Sequence, residues 1–429
     1  MNQFDERAFG LPEGMDSETT IVATYLLQGP PDEDSLARSL SAAMEQTIGQ
    51  GCYGLSGYEE LVRDFGGRLI SYFRVPAHET RSSLVGETWT RAVARIAFPV
   101  ANTGHQIPML LTMVLGDLSL GGMIKLVDLD LPPAFVKDFS GPKFGLAGIR
   151  TILNTNRPLI CSILKPCVGL TPERAADLFR QHALGGAEVI KDDELMAYGG
   201  EYRIEDRVLA CRRAAEQSFE QTGQRVLYLT SITDRPDRML EQARRAIEAG
   251  ANGLMLTPLS TGIGALQALA EDPDIRVPLF AHPALLGAWS WSPDFGIAGH
   301  ILIAKLFRLA GADINAVPVP YGRFTHMRES YVRMLQLSKA PMLHVKPCFT
   351  QVGGGLHALA VPDVIRDVGN DVMLVIGGSA QRHPGGVTSG VRAVHQAISA
   401  TLDGRTLDEA AGDYPELRQA QTVYAGRKG

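Results

Sequence analysis

Cysteine is scarce. The 429 residues contain five, Cys52, Cys161, Cys167, Cys211 and Cys348, an odd number with no Cys-x-x-Cys spacing. That pattern argues against a disulfide framework or a thiolate zinc site and suits reduced thiols in a cytoplasm. Long apolar runs are also missing. None approaches the ~20 residues that span a bilayer, so no membrane partner is expected. Positive charge is in deficit: 41 Lys and Arg against 47 Asp and Glu give a net charge of -6. The basic residues are scattered, which argues against nucleic acid and anionic membrane surfaces. The start, Met1-Asn2-Gln3-Phe4-Asp5-Glu6, is acidic and has no signal-peptide core.

What is present is ordinary in bulk: 45% hydrophobic and 21% charged residues describe a soluble globular chain of about two or three domains. The informative stretch is Gly185-Gly186-Ala187-Glu188-Val189-Ile190-Lys191-Asp192-Asp193-Glu194. A short apolar run there stops in one lysine and three carboxylates. The run fits a buried strand, with the charges projecting from its C-terminal end. Such charges are too costly to bury unpaired. A divalent cation held by oxygen ligands would neutralise them; a solvated charged loop is the plainer alternative.

Before residue 140 the pattern is mixed. Thr19–Leu27 reads as a strand, Pro30-Pro31-Asp32 breaks it, and Ser35–Thr47 has helical spacing. Leu69–Val75, Arg91–Phe98 and Pro108–Leu115 continue the mixture, so residues 1–145 are expected to form a small α+β domain. Leu131-Pro132-Pro133 and Ser140-Gly141-Pro142 mark its end. Over residues 146–429 apolar strands alternate with helical segments. The strands are Leu159–Pro166, Ala187–Glu194, Val226–Ile232, Gly253–Pro258, Val277–Ala284, Ala312–Pro320, Met342–Pro347 and Val372–Gly378. Thr171-Pro172-Glu173 opens one helix with a cap and a first-turn proline. Eight such units predict a (β/α)8 barrel, so the fold class is α/β with a smaller α+β domain in front.

Barrel chemistry sits at the C-terminal strand ends. Those ends carry Lys165, Lys191 with Asp193 and Glu194, Thr230, His282, Lys346, and Gly377-Gly378. Asp193 and Glu194 are adjacent and converge only if the strand bends. Lys191 is either their salt-bridge partner or, carbamylated by CO₂, an anionic ligand for Mg²⁺ and a general base. Gly353-Gly354-Gly355 and Gly377-Gly378-Ser379 follow the last two strands, where barrels commonly bind phosphate.

Ile163-Leu164-Lys165-Pro166, the Lys191–Glu194 block, Leu131-Pro132-Pro133-Ala134-Phe135, Gly354-Gly355-Leu356-His357 and Gly377-Gly378-Ser379-Ala380-Gln381-Arg382-His383-Pro384 together resemble the RuBisCO large subunit, and more closely the RuBisCO-like proteins of form IV. The resemblance runs from about residue 20 to 405. It implies that Lys191 is a carbamylated lysine, that Asp193 and Glu194 ligate Mg²⁺, and that Lys165 handles protons. It further implies that His282 binds substrate hydroxyls and that Gly355, Gly377 and Gly378 cradle one phosphate. Glu45 would reach a neighbouring subunit's site, which implies a homodimer with shared active sites.

Several positions depart from the pattern. Cys167 replaces a lysine, Pro283 replaces the arginine that grips a second phosphate, and Gly353 replaces a serine. Asp117 stands for an asparagine and Arg323 for the loop lysine. The resemblance thus implies a substrate with one phosphate and no net CO₂ fixation. Three functions follow. The first is cleavage of 3-oxo-isoapionate 4-phosphate. The second is a methionine-salvage step, either 2,3-diketo-5-methylthiopentyl 1-phosphate enolase or 5-methylthioribulose 1-phosphate isomerase. The third is a non-catalytic, stress-linked barrel. Against the enolase, Gly116–Gly122 contains no lysine and the next one is Lys125.

Overall fold

Thr20–Gly29 forms the strand its β-branched run predicts, β1. Ile21, Ala23, Tyr25 and Leu27 alternate onto its buried face. Around it lie β2 (Arg68–Val75), β3 (Thr90–Pro99) and β4 (Met123–Asp130). β1 pairs antiparallel with β3 and β4, and β2 pairs antiparallel with β3. The structure is a computed structural model that describes residues 9–29, 33–49, 51–75, 90–196, 202–324 and 327–424. The acidic start Met1–Glu6 and the break at Pro30-Pro31-Asp32 lie outside the described residues.

The second half supplies, in chain order, β5 (Leu159–Ile163), β6 (Val189–Lys191), β7 (Leu227–Ser231), β8 (Gly253–Leu256), β9 (Leu279–Ala281), β10 (Gly296–Ile297), β11 (Ile314–Pro318), β12 (Phe349–Gly353) and β13 (Met373–Ile376). β10 runs parallel to β4 and completes a five-stranded mixed sheet. The other eight close into a parallel barrel in the order β11-β12-β13-β5-β6-β7-β8-β9. The chain accordingly divides into one unit of Met1–Phe139 with Leu285–Leu302 and a second of Ser140–Ala284 with Ile303–Gly429. Thr171 caps its helix as expected, its side chain accepting from Arg174 N at 3.3 Å.

The barrel core is built from alternate strand residues: Leu159, Cys161, Val189, Leu229, Met255, Phe280, Ile314, Phe349 and Met373 belong to one buried cluster. Burial of each large aliphatic or aromatic member contributes about 1.5–3 kcal/mol. Ile149, on the helix Gly145–Leu153, packs into the same cluster.

One expected strand is displaced. The seventh barrel strand is Phe349–Gly353, whereas Met342–Pro347 is irregular and holds Leu343 at φ 46°. Pro347 has no N–H for a ladder. The true strand was masked by Thr350 and Gln351, which are polar yet buried. Lys346 therefore precedes its strand. It donates to Lys143 O at the N-terminal end of the barrel and is not a rim residue.

The same end is tied by Asp313. Its Oδ1 accepts from Phe144 N at 2.6 Å and Gly145 N at 2.8 Å, and its Oδ2 accepts from Leu279 N at 2.9 Å. Asp313→Ala leaves these amides without their acceptor. We expect a loss of about 3 kcal/mol or more, read as a lower urea midpoint at unchanged m-value.

Candidate active site

β6 ends at Lys191, Asp192 and Asp193 continue it, and the chain turns at Glu194-Leu195. The adjacent acids take different partners. Asp193 faces β5, where Lys165 Nζ donates to its Oδ2, while its Oδ1 accepts from Leu195 N at 3.0 Å. Glu194 faces β9, with Oε2 3.5 Å from Lys191 Nζ and 3.4 Å from His282 Nε2. Lys191 is almost fully buried, and its ammonium donates to Asp192 O at 2.7 Å. Lys165 also donates to Cys167 Sγ at 3.0 Å. The contacts form two groups at adjacent strand ends, Lys165 with Asp193, and Lys191 and His282 with Glu194.

Electrostatics follow from this pairing. Burial would raise the Glu194 carboxyl, but the charges of His282 and Lys191 outweigh it and hold it at about 2. Burial, reinforced by Lys191, pushes the His282 imidazole down to about 4 against the pull of Glu194. His282 is therefore neutral at physiological pH, and its Nδ1 has no hydrogen-bond partner among the described residues. Burial lowers Lys165, but its bond to Asp193 overrides this and the net shift is upward.

The glycines divide into two kinds. Gly354 and Gly355 have φ of 108° and 101°. A Cβ on Gly355 would lie 2.9 Å from Arg323 N, and one on Gly354 would strike the Phe324 ring. Their smallness admits the segment Tyr321–Phe324, whose Arg323 N donates to Gly354 O at 2.7 Å. Gly377 and Gly378 are different. A Cβ there would meet only Ile163 and Lys165 at 3.5–3.7 Å, or Arg382 at 3.4 Å. A Cβ at either position would make only ordinary contacts, so side-chain packing does not demand glycine there. Gln381, just beyond them, donates to Lys165 O at 2.9 Å, which fixes this loop beside Lys165.

The weaker candidates sit as follows. Glu45 accepts from Gly51 N, Asp117 is exposed at the start of a short 3₁₀ turn, and Arg323 is exposed over the Phe324 ring at 4.8 Å. Thr230, read as a rim residue, is buried and donates to Asp192 at 2.9 Å. Asp192 itself was overlooked. A period-2 reading places it on the opposite face from Lys191 and Asp193, and that was the available signal.

Residues 145–424 match the family of the ribulose bisphosphate carboxylase large chain, catalytic domain. The chain belongs to the RuBisCO large-chain family. It is 38% identical over 397 residues to a ribulose bisphosphate carboxylase-like protein of Archaeoglobus fulgidus, covering 92% of this chain and 91% of the relative. It is 36% identical over 402 residues to a 2,3-diketo-5-methylthiopentyl-1-phosphate enolase of Bacillus licheniformis, covering 93% and 96%. The crystal structure of a rubisco-like protein (MtnW) from Alicyclobacillus acidocaldarius superposes with a TM-score of 0.86 at 37% identity, covering 95% of this chain and all of that one.

Two departures of this RuBisCO-like chain acquire geometry. Cys167 takes a hydrogen bond from Lys165, where a lysine would bring a second cation. Pro283 follows His282 and brings no charge. In the metal-free protein, ¹⁵N NMR of His282 should show a neutral ring from pH 8 to pH 5.5, with protonation setting in near the value of about 4. An imidazolium signal at pH 6.5 would contradict the electrostatics above.

Proposed function

We propose that this chain is a non-carboxylating enzyme that enolises a singly phosphorylated ketone, with 2,3-diketo-5-methylthiopentyl 1-phosphate the first substrate to test. The observation that carries this is the linked Lys165–Asp193 and Glu194–His282 set, in a chain 34–38% identical to a RuBisCO-like protein and to diketone enolases over more than nine-tenths of its length. The relatives support the enolase alternative over cleavage of 3-oxo-isoapionate 4-phosphate, which was the first expectation, so the enolase replaces it here. The non-catalytic alternative is disfavoured because all five ionisable groups are present, paired as Lys165 with Asp193 and as Lys191 and His282 with Glu194.

The fit to a metal is partial. Asp193 and Glu194 offer hard oxygen donors, but no three His, Cys, Asp or Glu side chains converge among the described residues. Lys191 Nζ, 3.5 Å from Glu194, is placed to complete the set if carbamylated. A bound Mg²⁺ would polarise the substrate carbonyl and stabilise the developing oxyanion.

The chain's own residues do the rest. Asp193 keeps the proton on Lys165. Were Asp193 to take another partner, burial of Lys165 would be opposed only by Cys167, and the amine would be closer to a competent base. Lys125 does not supply this base in the structure, because its Nζ donates to the carbonyls of Ser290 and Ser292. Neutral His282 offers one ring nitrogen to a substrate hydroxyl, and the backbone at Gly377 and Gly378 is open to a phosphate. A role for Glu45 in a partner's site, and with it the homodimer, belongs to the same proposal. Among the described residues no helix is long and apolar enough to cross a membrane.

The test follows enol formation from the diketone phosphate by ultraviolet absorbance, with Mg²⁺ and bicarbonate present. Wild type should enolise it, and Lys165→Met should lower kcat by about 10³-fold. Lys191→Ala should abolish turnover. No enol from the diketone, with rapid cleavage of a phosphorylated 3-oxo acid, would overturn the assignment. A bisphosphate inhibitor should bind no tighter than its monophosphate counterpart; a hundredfold preference for the bisphosphate, about 2.7 kcal/mol, would refute the single-phosphate reading.

A further inference from the structure

Asp192 lies between Lys191 and Asp193 in the chain but turns the other way, and it is fully buried. Five donors surround its carboxylate. Oδ2 accepts from Arg207 Nε at 3.2 Å, Arg207 Nη2 at 2.9 Å, Thr230 Oγ1 at 2.9 Å and Ser231 N at 2.9 Å; Oδ1 accepts from Tyr228 OH at 2.7 Å. These come from β7 and from the helix Ile204–Thr222. Its backbone is fixed too: Asp192 N donates to Leu229 O at 3.1 Å, and Asp192 O accepts the Lys191 ammonium at 2.7 Å.

A carboxylate held by this many donors cannot rotate out, and because neighbouring side chains leave an extended chain on opposite faces, its orientation dictates theirs. We propose that Asp192 is a positioning residue: locked by Arg207, Tyr228 and Thr230, it sets the peptide that holds Lys191 Nζ and turns Lys191 and Asp193 toward the mouth of the barrel. It touches no substrate and acts through Lys191. The inference deepens the reading above, since its consequence for turnover depends on Lys191 being a working group.

The mildest probes are Tyr228→Phe and Thr230→Val. Each removes one hydroxyl donor and leaves the remaining bonds to Asp192. Tyr228→Phe keeps the ring that packs edge-on against Phe179 at 5.3 Å. Because Lys191 is buried and held by the Asp192 carbonyl, its reaction with acetic anhydride, followed by mass spectrometry, reads its positioning directly. The control is Lys143, whose Nζ donates to Asp272 O and Ile275 O at 2.5 Å. In each variant we expect Lys191 to label about tenfold faster while Lys143 does not change, the size expected for loss of one hydrogen bond to a charged group. Asp192→Asn, if it folds, should give a larger gain.

Unchanged Lys191 labelling in both variants overturns the assignment. So does an equal gain at Lys191 and Lys143, which marks general loosening. A separate titration with Mn²⁺ and bicarbonate, followed by electron paramagnetic resonance, addresses the metal reading. Weaker binding by about tenfold in Tyr228→Phe supports both ideas. A wild type that binds no Mn²⁺ ends the metal reading, while the labelling result still decides the role of Asp192.

Discussion

β6 ends in a lysine that three carboxylates follow in succession, and Lys191, Asp192 and Asp193 are withdrawn from water. An ion moved unpaired into such surroundings costs several kcal/mol even after relaxation. The fold meets that constraint by giving each acid a separate partner on a different element. Asp193 takes Lys165 after β5, Glu194 takes Lys191 and His282 after β9, and Asp192 takes Arg207 on the helix behind. Three strands and one helix must be in register before the charges are satisfied. The site is thus also a specification of the barrel: a slip of one residue in β6 would turn Asp192 to the mouth and leave Arg207 buried without it.

The two ends of the barrel use buried charge differently. At the N-terminal end Asp313 accepts from backbone amides, and Arg308 gives hydrogen bonds to the carbonyls of Lys346, Ala340 and Val345 at 2.7–2.8 Å. These bonds tie turns together and leave little for a ligand. At the C-terminal end the partners are side chains that could exchange one another for a ligand. That division agrees with the general placement of barrel chemistry at the C-terminal strand ends.

Much of this was legible in the sequence because both signals are local. An apolar run of four to eight residues marks a buried parallel strand, and a charge block at its end marks the rim. Seven of the eight barrel strands overlap the positions the sequence predicts. The seventh strand failed because polar Thr350 and Gln351 point into buried space, while Met342–Val345 is apolar without being a strand. Thr230 failed for a related reason. Its hydroxyl serves Asp192, and no local pattern reports a partner 38 positions away. The reach of Tyr321–Phe324 over Gly354 and Gly355 was equally hidden, since glycines at a strand end look the same whether they admit a phosphate or a loop.

Charge balance carries the argument about substrate one step further. With His282 neutral, Lys165 and Lys191 balance Asp193 and Glu194, and Arg382 adds a cation beside Gly378. On the proposed reading, one phosphate would be met by backbone amides at Gly377 and Gly378 with Arg382 beside them. A second phosphate would need new positive charge nearby. Each missing charge pair at 6 Å forgoes about 3 kcal/mol at an effective dielectric of 20. The positions where the family resemblance calls for such cations hold Cys167 and Pro283, and Arg323 is exposed and stacked on Phe324. Carbamylation of Lys191 would remove one positive charge and add a negative one, leaving the four paired groups doubly negative. If Lys191 is carbamylated as proposed, a divalent cation restores that balance, and on the same proposal a bisphosphate is the costlier ligand.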